Sequence, residues 1–237
     1  MPVLFLGHGS PMNAIEENQF VRGFREISKK IPTPNAILCI SAHWYTKGTY
    51  VTSGEMQKTI HDFYGFPQEL FEVEYPAKGN PELAKETAEL LAPTSVIETD
   101  SWGLDHGAWS VIKHLYPAAN IPVIQMSIDY TQPAQYHFDL AKKLQKLREK
   151  GILIIGSGNI VHNLRMIDWK NINTVGAGWD WAIEARAKTN EWILDGNFQN
   201  LIHFEKQGAA LQNAIPTPDH YLPLIYTLGL KEKIDNI

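Results

Sequence analysis

The chain has 237 residues, 44% of them hydrophobic and 20% charged, with a formal net charge of -5 and one cysteine. That composition suits an ordinary globular protein of one large domain, and with acidic and basic residues interspersed there is no basic stripe to suggest nucleic acid. A single cysteine excludes a disulfide framework, and no apolar run reaches the roughly 20 residues that span a bilayer; with no export signal ahead of the first strand, a cytoplasmic setting is expected.

In chain order, "PVLFLGHGSP" opens with a short apolar run from Val3 that reads as a buried parallel strand. It runs out into a turn carrying His8 between two glycines, then Ser10. "AILCISAHW", from Ala36, reads as a second central strand with Cys39 in the core and His43 just beyond its end. "YVTSG" and "SVIET" are weaker strands, and the aromatic loop "TIHDFYGFP" carries His61. "NPELAKETAELLA" has helical spacing at Leu83, Ala84, Leu90 and Leu91, and "WGLDHGAWSVI" starts a helix at His106 behind a Gly-Leu-Asp turn. "IPVIQMSID", from Ile121, is a further strand. "PAQYHFDLAKKLQKLREKG" reads as one helix with apolar positions Phe138, Leu140, Ala141, Leu144 and Leu147, closed by Gly151. "ILIIGSGN", from Ile152, is the last central strand, with His162 beyond it in "GNIVHN". "VGAGWDWAIEARAKTNEWILDG" reads as a long helix, shorter helices follow, and His220 stands at a helix start in "PTPDHYLPLIY". Strands alternating with helices predict an α/β fold: a single domain over residues 1–237 with a mainly parallel sheet flanked by helices.

Open α/β sheets bind ligands beyond the carboxyl ends of their strands. His8, His43 and His162 all fall there, and His106 and His220 sit at helix starts. Taken singly, each reads as readily as a cap or a satisfied half-buried imidazole. Taken together, they suit a transition metal, for which neutral imidazole is a common ligand. No C-x-x-C, H-E-x-x-H or EF-hand spacing is present, so such a site must be assembled from distant segments. His114 and His137 lie within helical patterns and, with His203, read as structural or surface residues. Neither Ser10 nor Ser157 lies in G-x-S-x-G, and "GSGN" lacks the full G-x-G-x-x-G, so a serine nucleophile and a nucleotide site are both disfavoured.

Six stretches in order, "FLGHGSP", "SAHW", "IHDFYGFP", "WGLDHGAW", "GSGNIVHNLR" and "PTPDHYLPL", resemble the 4,5-DOPA extradiol dioxygenase family, within the class III (LigB-type) extradiol ring-cleavage dioxygenases. The resemblance runs from residue 1 to about residue 230. It implies one divalent metal per chain on His8, His43 and His220. His162 matches the acid/base position of the wider superfamily and also a ligand in some zinc-bound forms, and His106 matches a second pocket histidine. The substrate-binding residues are not readable, and no arginine clamp for an amino-acid carboxylate is evident.

Two departures from the pattern stand out. The wider superfamily uses a carboxylate as third ligand, whereas His220, with Asp219 beside it, occupies that position here. Family members also continue past the equivalent of "YTLGL" into a segment with a further strand, so a missing edge strand or a shortened C-terminus is expected. The implied reaction is cleavage of a catechol such as L-DOPA by O2 to a muconic semialdehyde, with Zn2+ in the isolated protein and Fe2+ needed for activity. His162 would act as the base, and His106 would hydrogen-bond the bound oxygen or the substrate anion. A zinc-dependent hydrolase on the same scaffold and a non-catalytic Memo-like metal- or peptide-binding protein are the alternatives. A yellow product from a catechol after Fe2+ loading separates the first reading from both. Small-molecule catechol and O2 are the expected partners, without nucleic acid or membrane.

Overall fold

The computed structural model describes residues 1–172 and 174–236. Six strands form one sheet: β1 (Val3–Gly7), β2 (Ala36–Thr46), β3 (Thr49–Thr52), β4 (Val96–Thr99), β5 (Val123–Asp129) and β6 (Ile152–Gly158). Their order is β1-β6-β2-β5-β3-β4. Every pairing is parallel except β3 with β5, so the expected mainly parallel α/β fold is what forms.

Of the inner strands, β6, β2 and β5 are apolar runs because both faces of the sheet are covered there. Successive residues point to opposite faces. Leu38, Ile40, Ile124, Met126 and Ile154 enter one core, beneath the helices Ala134–Lys142 and Leu222–Gly229. Ile37, Cys39, Val123, Leu153 and Ile155 enter the other, beneath the helices Gln19–Lys30 and His106–Leu115. Each fully buried aliphatic side chain contributes about 1.5–3 kcal/mol of transfer free energy, which holds the strand ends that carry the histidines. No described helix is long and apolar enough to cross a membrane.

Four elements depart from the sequence reading. β2 does not stop before His43 but runs on to Thr46, with its register against β5 shifting between Ile40 and Tyr45. A bulge of this kind re-aims side chains without ending the strand, so His43 lies within β2. The helix expected from Pro133 to Gly151 is two helices, Ala134–Lys142 and Gln145–Glu149. A tightened turn with Leu144 N–H on the Ala141 carbonyl at 2.9 Å separates them, and Leu144 and Leu147 both remain buried. The long helix expected from Val175 begins only at Asp180, where Trp179 closes the preceding loop by donating its Nε1–H to Met166 O at 2.8 Å. The C-terminal helix begins at Leu222, leaving His220 in the turn before it.

Candidate metal centre

The registers Gly7↔Gly158 and Ser41↔Ser157 bring the carboxyl ends of β1 and β6 level with the middle of β2. His8 leaves β1 directly, its N–H bonded to Gly158 O at 3.2 Å, and His43 stands two residues past Ser41. The turn carrying His220 lies against β6, where Asn159 N–H reaches His220 O at 2.8 Å. Glycine at position 158 permits this approach, since a Cβ there would lie 2.2 Å from His220 O. Gly158→Ala must therefore push the His220 turn outward. The expected cost is about 1–3 kcal/mol of stability, typical of overpacking, with a larger loss of metal affinity; urea unfolding and zinc competition on one sample measure both.

The helix that begins at His106 is anchored to the same edge. Asp105 caps it by accepting Ala108 N–H at 3.1 Å, and it also accepts the Ser41 hydroxyl at 2.6 Å and the Gln125 side-chain amide. Burial, then the neighbouring Asp62 carboxylate, pushes the Asp105 carboxyl up to about 6. Gly107 gives this helix its closeness to β2, because a Cβ there would lie 2.5 Å from Ser41 Oγ and 2.9 Å from His43 Cδ2.

His8, His43 and His220 converge, each offering a nitrogen within 4.8 Å of the others. Hydrogen bonds assign their protons. The Ser157 hydroxyl donates to Gly107 O at 2.5 Å, so its oxygen accepts Nδ1–H of His8 at 3.0 Å and Nε2 of His8 carries a lone pair. His220 donates Nδ1–H to Asp219 Oδ2 at 2.5 Å, which likewise frees its Nε2. Nδ1 of His43 faces Asp62 Oδ2 at 3.4 Å. An acceptor behind each Nδ1 is the usual support for metal-binding imidazoles.

The pair His8–His43 tests whether a cation fits. Their Nε2 atoms lie 3.2 Å apart. If His43 carries its proton on Nδ1, two lone pairs confront each other; if on Nε2, its Nδ1 lone pair confronts Asp62. Protonating both nitrogens is opposed, since burial followed by the nearby His106 and His220 lowers His43 to about 3. Burial, then His43, holds His8 well below the usual imidazole range. A divalent cation between the two nitrogens resolves every contact. The spacing also matches the roughly 3.3 Å between two nitrogens bound tetrahedrally at 2.0–2.1 Å.

His162 stands beside this triad rather than inside it. It groups with Asp219 and His220, its ring stacked on His220 with centroids 3.3 Å apart and planes at 12°. Burial, then His220, lowers it to about 4, against a raising contribution from Asp219. Burial alone would raise Asp219, but the His220 hydrogen bond and further polar contacts hold it at about 2. His106 lies next to His43, ring centroids 3.8 Å apart, and faces Phe63 edge-on at 5.6 Å.

The other candidates separate cleanly. Ser10 caps a short turn by accepting Met12 N–H at 3.2 Å. His114 bonds Asn13 O at 2.7 Å and His137 meets Tyr226 Oη at 2.9 Å. His61 meets Val73 O at 3.0 Å among Phe63, Phe71 and Trp109, and His203 is exposed. Sequence reasoning passed over Asp62 entirely. It accepts both the backbone N–H of His106 at 2.8 Å and its Nδ1–H at 3.0 Å. The only signal for it was a carboxylate inside an otherwise aromatic loop.

The depressed histidines set an acid limit for the metal-free protein. An unfolded histidine titrates near 6.5, whereas His8, His43 and His137 resist protonation when folded, the last being lowered to about 4 mainly by burial. The unfolded chain therefore binds more protons below that value, and stability falls as pH drops from about 6.5 toward 4. The expected loss by pH 5 is about 2 kcal/mol for each of His43 and His137, with His8 acting in the same direction. Urea unfolding at pH 7 and pH 5 checks it, and a constant midpoint would contradict it.

The profile of the catalytic LigB subunit of aromatic ring-opening dioxygenases matches residues 2–235. The chain is 46% identical over 232 residues to the 4,5-DOPA dioxygenase extradiol of Escherichia coli K12, covering 97% of this chain and 84% of that protein. It is 36% identical over 234 residues to the protein of the same name from Beta vulgaris, covering 95% and 85%. A crystal structure of an uncharacterized Escherichia coli K12 protein superposes with a TM-score of 0.79 at 40% identity, covering 97% of this chain and 88% of that one. The chain belongs to the LigB family, and with it to the extradiol ring-cleavage dioxygenases.

Proposed function

We propose that this enzyme opens the ring of a catechol such as L-DOPA with O2, breaking the carbon–carbon bond between one hydroxyl-bearing carbon and its unhydroxylated neighbour so that one oxygen atom ends on each and a muconic semialdehyde results. The observation that carries the reading is the convergence of three imidazoles, each with an acceptor facing its Nδ1. His8, His43 and His220 would hold one divalent metal, and His162, whose nitrogen groups with those of His220 and Asp219, stands within reach of it. When bound, a redox-active ion lets electron density pass between catechol and O2, which relieves the spin restriction on their direct reaction. Zn2+ lacks that redox chemistry but binds more tightly than Fe2+ in the Irving–Williams order. Protein isolated in air is thus expected to carry zinc, and turnover requires Fe2+.

The chain's own residues handle binding and protons. Neutral His162, kept uncharged by burial and by His220, takes a catechol proton and returns it as the product forms. Phe63, edge-on to His106, offers an apolar wall for an aromatic substrate. Small-molecule catechol and O2 are the partners, in a cytoplasmic setting. Anaerobic Fe2+ loading followed by O2 uptake over a panel of catechols tests the reading. Uptake with a yellow product is expected, and no uptake with any catechol would refute it.

A further inference from the structure

We propose that Asp62 is a positioning residue that fixes the proton of His106 on Nδ1 and thereby presents Nε2 of His106 as a proton acceptor. The inference deepens the dioxygenase reading and rests on it for the effect on turnover, while the tautomer itself stands on hydrogen bonding alone. Asp62 uses both carboxylate oxygens on one residue. Oδ1 accepts the backbone N–H of His106 at 2.8 Å, and Oδ2 accepts the ring Nδ1–H at 3.0 Å. A backbone N–H can only donate, so the carboxylate is locked in orientation and Oδ2 cannot turn away. In the neutral form of the ring, a proton held on Nδ1 leaves the lone pair on Nε2. The same Oδ2 lies 3.4 Å from Nδ1 of His43, so one oxygen favours the Nδ1–H form of both rings.

This arrangement alters the role of His106. A neutral ring in this tautomer cannot donate to a substrate anion from Nε2; it accepts a hydroxyl proton first and donates only afterwards. A catechol has two hydroxyl protons to lose, and His106 and His162 provide two separate imidazole acceptors for them.

Asp62→Asn discriminates with little change in shape. The side-chain oxygen of the introduced asparagine must serve the backbone N–H, so its NH2 group faces Nδ1 of His106 and forces that nitrogen to accept. The proton of His106 then moves to Nε2. The probes are long-range 15N–1H correlation spectra of the histidine rings in metal-free protein, zinc competition, and steady-state kinetics of the Fe2+-loaded enzyme. In the parent protein His106 is expected to carry its proton on Nδ1, and in Asp62→Asn on Nε2. Zinc affinity should fall by about 10–100-fold, as for loss of an outer-shell partner. The turnover number should drop by about 10²–10⁴-fold, the usual worth of positioned proton transfer, with KM little changed. A parent spectrum with His106 protonated on Nε2 or on both nitrogens overturns the proposal, as does an Asp62→Asn spectrum that keeps Nδ1–H. Should Asp62→Asn fail to fold, the parent spectrum alone decides. Absence of zinc binding in the parent protein would overturn the metal centre instead, leaving the tautomer assignment to the same spectra.

Discussion

Alanine at His8, His43 or His220 is expected to abolish metal retention, and ring cleavage with it. The reason lies in how the three imidazoles are held. Each Nδ1 faces an acceptor, Ser157, Asp62 or Asp219, which leaves each Nε2 to serve the proposed centre. Loss of an outer-shell partner typically costs 10–100-fold in affinity. Loss of one of three direct ligands should exceed about 100-fold. Elemental analysis after gel filtration and zinc competition measure it. The fold should survive, because none of these side chains belongs to the hydrophobic clusters that hold the sheet to its helices. His8→Ala or His43→Ala should even relieve acid sensitivity in the metal-free protein by removing one depressed histidine. A variant that keeps full zinc stoichiometry at micromolar protein would remove that residue from the ligand set.

The second large effect concerns His162. Its ring stacks on His220 without joining the cluster of three nitrogens. His162→Ala should therefore lower turnover by about 10²–10⁴-fold while leaving metal content and catechol affinity nearly unchanged. Parallel loss of metal would make His162 an obligate ligand. Full activity, with only about 1 kcal/mol of stability lost, would leave it a cap for the following turn. Metal stoichiometry, the catechol-induced spectral change and the single-turnover rate of the Fe2+-loaded variant separate these three outcomes.

Much of the fold is legible in the sequence because buried parallel strands are continuous apolar runs and need no partner to be recognised. β1, β2, β5 and β6 all announce themselves in this way, and the position of His8 at a strand exit follows directly. What escaped depends on packing between distant segments. β2 overran its expected end because its register against β5 shifts, and a bulge leaves no local signature in "SAHWYT". The break near Lys143 is invisible to helical spacing, since Leu144 and Leu147 stay on the buried side whether the helix is continuous or not. At the site, the histidines were legible as a set, but their supports were not. Ser157 lacks the spacing of a nucleophile, and nothing in "GSGN" signals that its buried hydroxyl orients His8. Asp62 gave no periodic or motif signal; its importance arises only when the loop that carries it folds over the start of the helix at His106.

Mass spectrometry of the product formed under 18O2 by the Fe2+-loaded enzyme with L-DOPA tests the central claim most directly. Ring opening by a dioxygenase places both oxygen atoms of O2 in one product molecule, one in the aldehyde and one in the new carboxylate. An open-ring semialdehyde carrying both labels is expected when the product is scanned promptly, before the aldehyde exchanges with water. An unopened ring, or a product whose new oxygen comes from water, would contradict it.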